Sequence, residues 1–145
     1  MAATTAKRFE VKFWGVRGSI PSPGPNTDRF GGNTSCIEVR CDDQLIVLDA
    51  GTGAFALGQH LAARGDSSGA FLFGHTHWDH IMGFPYFAPL AMPDAQWLLF
   101  GETKGGRTVG ELLAWQSERA HAPLVSTEQT RALVCEAVAP GQAFS

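Results

Sequence analysis

The chain has 145 residues, 44% of them apolar and 17% charged, with a formal net charge of −3. This composition excludes a disordered chain, and the length suits a single domain over residues 1–145, able to bury roughly two-thirds of its unfolded surface. A slightly acidic chain without a basic run gives no indication of a nucleic-acid binder, although a small phosphorylated substrate stays open.

The opening MAATTAKRFEVKFWG has no apolar core suited to a signal peptide, and no later run is long enough to span a bilayer, so no membrane association and a cytoplasmic location are expected. Within it, RFEVKFW alternates polar and apolar residues, the period of a half-buried strand. The segment GVRGSIPSPGPNTDRFGGNTS follows, rich in glycine and proline, and long enough to suggest a binding loop between strands. CIEVR and QLIVLDA are the next strands, joined by a polar turn at Cys41, Asp42 and Asp43.

A helix then begins after Thr52, a candidate N-cap, and stops at Gly65. Its apolar face is Ala54, Leu57, Gly58, Leu61 and Ala62, which leaves His60 off that face as a solvated residue. GAFLFG reads as a short buried strand, QWLLFG as another, Thr108 to Glu118 as a helix with Val109, Leu112 and Leu113 on one face, and RALVCEAV as a last strand. Cys36, Cys41 and Cys135 make neither a CxxC pair nor an even set, so reduced thiols in a cytosolic protein are expected.

The densest chemistry is GHTHWDH at 74–80, where three of the five histidines lie within six residues. It hangs from the C-terminal end of the GAFLFG strand, the end at which open α/β sheets place their sites. His75, His77, Asp79 and His80 offer imidazole nitrogens and a carboxylate, donors suited to zinc, manganese or iron. The spacing is too tight for all four to wrap one ion on a regular element. On a strand-end loop, His75 and His77 can share one metal while Asp79 and His80 face a second, about 3.5–4 Å away as in two-metal hydrolases. The bland alternative is a polar loop with unligated histidines.

The segment resembles the HxHxDH signature of the metallo-β-lactamase-fold hydrolases. FWGVRGSIP at 13–21, RFGGNTSC at 29–36 and LDAGTG at 48–53 accompany it in the order of a branch similar to ribonuclease Z and to the phosphonate-pathway cyclic-phosphate phosphodiesterases. The resemblance covers residues 9 to 90 most strongly. It implies an α/β chain forming the N-terminal half of a four-layer αββα sandwich, with two divalent metals, zinc foremost, at one edge of the paired sheets. His75 and His77 would bind the first, Asp79 and His80 the second, with Asp79 also the candidate catalytic carboxylate and Asp49 a hydrogen-bond partner orienting the histidines. A metal-bound hydroxide would attack a small phosphodiester in line.

Asn33, Thr34 and Ser35 are candidate pocket residues, and Gly74 replaces the small hydroxyl residue usual before the first histidine. The family's remaining ligands, two histidines and a bridging aspartate, have no counterpart here. Downstream, His121 stands outside any ligand motif and reads as a surface residue. A second polypeptide or a second copy is therefore expected to complete the site. Two alternatives remain: a non-catalytic truncated metal-binding module, or the same fold acting on a thioester, lactone or β-lactam.

Overall fold

The computed structural model describes residues 9–117 and the backbone of 133–137. Six strands form one mixed sheet in sequential order: β1 (Phe9–Gly15), β2 (Cys36–Cys41), β3 (Gln44–Leu48), β4 (Ser68–Leu72), β5 (Gln96–Gly101) and β6 (Leu133–Ala137). The first three run antiparallel and the last four parallel. The β2–β3 hairpin turns through Asp42 and Asp43, with Asp42 at φ 54°, a left-handed conformation that aspartate tolerates better than most residues. Parallel neighbours require crossovers. α1 (Gly53–Arg64) links β3 to β4, and α3 (Val109–Gln116) lies between β5 and β6. Between β4 and β5 the chain makes a single helical turn, α2 (Trp78–Ile81), and two 3-10 turns at Phe84–Tyr86 and Ala88–Ala91. Because the crossovers all advance in one direction along the sheet, right-handed connections put them on one face.

The core is built on that face. Val47, Phe71, Trp97 and Leu99 from the strands meet Leu57 and Leu61 of α1, Phe84 and Leu90 of the 3-10 turns with Phe87 between them, and Val109 and Leu113 of α3. Phe71 is its centre, with ring centroids of Phe73, Phe84, Phe87 and Trp97 at 5.6, 5.5, 5.0 and 5.3 Å. At the β1–β2 edge the same face turns polar. Buried Glu38 accepts hydrogen bonds from Trp14 Nε1 at 3.0 Å and Arg40 Nε at 2.7 Å, and Arg40 continues to Asp66 at 2.7 Å. Burial pushes the Asp66 carboxyl up, but its bonds to Arg40 and Arg64 outweigh that, and the net is below the usual carboxylate range.

The opposite face is different. Residues paired across strands share a face, so Phe9, Val11, Phe13, Ile37, Val39, Ile46, Leu48, Ala70, Leu72 and Leu98 all point the other way. No described element covers them: Phe9 is 71% exposed, Phe13 66% and Leu98 43%.

The expected strands and helices match closely, with three corrections. Thr52 occupies the N-cap position of α1 without capping it, because its hydroxyl accepts the Thr34 N–H at 2.9 Å and donates to Asn33 Oδ1 at 3.1 Å. His60 is half-buried and not solvated: a register shift between Phe13 and Gly15 brings the Trp14 ring to 5.2 Å from it. Cys41 belongs to the end of β2 and not to the turn. Gly65 does terminate α1, at φ 79° with its N–H on Ala62 and Leu61 carbonyls. α3 opens with a capping box between Thr108 and Glu111 and is slightly shorter than expected. Among the described residues no helix is long and apolar enough to cross a membrane. His121 lies outside the described residues.

Candidate metal centre

The site begins where β3 and β4 end side by side. Parallel pairing of Leu48 with Leu72 sets the following residues, Asp49 and Phe73 to His77, next to each other. Asp49 is held at φ 60°, a strained conformation for a residue with a Cβ, and it fills a central role. Its Oδ1 accepts the Gly74 N–H at 2.8 Å, and its Oδ2 accepts His80 Nδ1 at 2.7 Å and the Ser35 hydroxyl at 3.2 Å. Of the three histidines, Asp49 is hydrogen-bonded to His80 alone, and it also holds the backbone entering the loop.

The chain is extended at His77 (φ −67°, ψ 153°) and then coils into α2, so Asp79 and His80 sit on a helical turn and not on an open loop. Ring centroids lie 4.6 Å apart for His75 and His77 and 3.9 Å apart for His75 and His80. His80 Nε2 stands 3.4 Å from Asp79 Oδ2. The turn is locked from below, where the His80 carbonyl accepts the Ala50 N–H at 2.7 Å and the Ala50 carbonyl accepts the Gly83 N–H at 2.9 Å. Gly51 and Gly83 permit this closeness: a Cβ on Gly83 would lie 2.0 Å from the Gly51 oxygen, and one on Gly51 would lie 2.3 Å from the Asp79 oxygen.

The glycine-rich loop closes over the same point. Ser19, at φ 72°, donates its N–H to Asp79 Oδ2 at 2.8 Å. Burial pushes the Asp79 carboxyl up, but the Ser19 N–H and the neighbouring His80 and His75 side chains prevail and hold it below the usual range. Ser19 was not foreseeable as a site residue, because a backbone amide leaves no signature in the side-chain sequence.

The three candidate pocket residues divide. Thr34 is fully buried and structural, its hydroxyl accepting the Thr52 N–H at 2.8 Å. Ser35 supports Asp49, and Asn33 is exposed and bonded to Thr52. At Gly74 a Cβ would meet only the Asp49 carboxylate, with Oδ1 at an ordinary 3.5 Å and Oδ2 at 3.9 Å, so no steric reason enforces the missing hydroxyl residue there.

The donors suit a divalent metal in chemistry: three imidazoles and a carboxylate lie as successive neighbours, and Asp49 fixes His80 Nδ1 so that Nε2 faces Asp79. Among the described residues no three or more His, Cys, Asp or Glu side chains form a metal-holding group, so the arrangement offers neighbouring donors and no closed cage.

A mixed sheet covered on one face, with a histidine-rich turn at the parallel strand ends, is the fold of one half of a metallo-β-lactamase sandwich. The chain matches the metallo-β-lactamase fold protein YhfI from Bacillus subtilis with a TM-score of 0.59 at 16% identity, over 94% of this chain and 48% of that one. It matches the short form of human tRNase Z with a TM-score of 0.55 at 19% identity, over 88% and 44%, and a diphosphatase of the PhnP family with a TM-score of 0.52 at 18% identity, over 91% and 51%. At such identities the likeness is one of fold. The chain spans about half the length of these structures, and the part it matches is roughly their N-terminal half. No protein-family model matches it, and no curated protein matches it in sequence.

Proposed function

We propose that this chain contributes half of a two-metal hydrolase acting on a small phosphodiester, the site being completed by residues outside it. The observation that carries this reading is the pairwise proximity of His75, His77, His80 and Asp79 at the strand ends, with Asp49 tying down His80 Nδ1. A polar surface loop has no reason to hold a half-buried aspartate at positive φ against a histidine ring.

His75 and His77 would hold one metal and Asp79 and His80 the other. Bound divalent metals, zinc foremost and manganese or iron after it, supply a Lewis acid for the phosphoryl oxygens and a source of nucleophilic water at neutral pH. The chain's own residues do the positioning. Asp49 keeps the His80 proton on Nδ1 and so presents Nε2 as a donor. The Ser19 N–H fixes one oxygen of Asp79 and helps hold its carboxyl below the usual range. Two of the matched structures are, by their own descriptions, a tRNase Z and a diphosphatase, which supports a phosphorus-oxygen bond as the target over a thioester, lactone or β-lactam.

The bare apolar sheet face supports an outside contribution. A patch of that extent on a soluble chain calls for a partner, either a second polypeptide half or a second copy. Free thiols at Cys36 and Cys41 support a reducing compartment, the cytoplasm. Burial, reinforced by Asp49 and Glu38, pushes the Cys36 thiol up, so it is inert.

The lack of a three-donor group among the described residues favours one competing reading, a non-catalytic module that binds a single metal weakly. Zinc titration by calorimetry, with turnover of bis-p-nitrophenyl phosphate, separates the two. The hydrolase reading expects two tightly bound metals per completed site and metal-dependent turnover. His77→Ala and Asp79→Ala should each abolish that turnover in the completed assembly. Near-native activity in either variant would refute the ligand assignment.

A further inference from the structure

Beside the histidine turn lies an open groove of about 310 Å³, lined by Pro21, Thr52, Phe55, Met82, Gly83 and Tyr86. It is joined to the site from two directions. Met82 and Gly83 follow His80 within three residues, and Gly83 is tied to Ala50, which in turn holds His80. Pro21 is two residues from Ser19, whose N–H holds Asp79, and two residues of chain span at most about 7 Å.

Nearly all of the groove's surface is apolar. Its one threonine has no proton left to donate, since Thr52 Oγ1 gives it to Asn33 Oδ1 while accepting from Thr34 N. A charged or sugar-like group placed there would leave water without compensation, at a cost that an apolar group does not meet. Phe55 and Tyr86 are 55% and 42% exposed, and neither belongs to the hydrophobic core, so two aromatic side chains line the groove without being needed to hold the fold. A dry cavity of about 150 Å³ already takes benzene, so this space admits one aromatic ring with room beyond it. A protein partner would need an interface of about 800 Å² on this side, far more than six residues provide.

We propose that the groove receives an apolar, ring-sized ester substituent of the substrate whose phosphoryl group lies at the His75–His80 turn. The proposal rests on the hydrolase reading and adds its substrate class: an aryl or similarly apolar phosphoester, selected over methyl, sugar or charged esters. Phe55 and Tyr86 are then specificity residues that touch the leaving or retained group and leave the metal donors untouched.

The test is calorimetric binding of phenylphosphonate and methylphosphonate to the zinc-loaded, completed assembly. Phenylphosphonate should bind about 10-fold tighter or better, the expected gain for burying one ring. In Phe55→Ser and Tyr86→Ser the preference should shrink to about 2- to 3-fold while methylphosphonate affinity stays unchanged. Both side chains are exposed, so the fold tolerates these changes. Equal affinities in the unsubstituted protein, or a preference that survives both substitutions, would overturn the proposal. Turnover of bis-p-nitrophenyl phosphate, measured in parallel, keeps the two readings apart. Turnover without the phenyl preference refutes the groove alone, whereas the preference without turnover upholds the groove and refutes the hydrolase.

Discussion

The two faces of the sheet carry the same kind of side chain and meet different surroundings. On one face Val47, Phe71, Trp97 and Leu99 are sealed beneath α1, α3 and the 3-10 turns; on the other, Phe9, Val11, Phe13 and Leu98 stand open. Alternation of apolar with polar residues normally marks a sheet with one wet face, but the central strands here are apolar on both faces, as in QLIVL and QWLLF. A sheet so written is built to be covered twice. The second cover is absent among the described residues, and the histidine turn sits at the strand ends where the two layers would meet.

The first way to test this contrast is to remove one ring from the covered face. Phe71 is fully buried among four aromatic rings, so Phe71→Ala should cost about 3–5 kcal/mol, read as a lower denaturation midpoint with unchanged slope. A loss below about 1 kcal/mol would mean that this layer is not the one holding the chain together.

What the sequence revealed and what it hid follow the same physical division. Periodicity is a local property, and it placed β5 at Gln96–Gly101 and the buried α1 residues Ala54, Leu57, Gly58 and Leu61 without correction. The cluster at His75–His80 was legible as a local group of rare donor side chains, whereas Asp49, distant in sequence, was reachable only through the resemblance to a known family. Contacts between distant segments were not legible. Thr52 reads as a helix cap until Asn33 and Thr34 arrive to claim its hydroxyl, and His60 reads as solvated until the bulge in β1 delivers Trp14. The groove was missed for that reason too: Pro21, Phe55, Met82 and Tyr86 come from three segments, and each alone is an ordinary apolar residue.

The boundary between the layers gives a second test, of intermediate size. Asp49 bears hydrogen bonds from His80, Gly74 and Ser35 at the rim of the sheet. Asp49→Asn keeps the shape but loses the charge that fixes the His80 proton on Nδ1. Metal affinity should fall about 10- to 100-fold, as it does when partners of metal-bound histidines are changed, while secondary structure by circular dichroism stays intact. Unchanged affinity would show that His80 finds its orientation without Asp49, and would weaken the assignment of His80 as a ligand.

The smallest effect on folding should come from the open face, and it is the one that tells a bare surface from a missing layer. Phe13 is 66% exposed and pairs with Ile37 at the β1–β2 edge. Phe13→Lys removes an apolar ring that the described fold does not bury, so the stability of the chain itself should change by no more than about 0.5 kcal/mol. Its association should respond far more, because a lysine within a layer contact would have to leave water unpaired. The expected result in analytical ultracentrifugation is a shift from associated to monomeric chain, with metal-dependent turnover lost in parallel because the outside ligands no longer arrive. If Phe13→Lys instead unfolds the chain, the open face is already packed against something within it. If association and turnover both persist, the completing residues approach the histidine turn from another side.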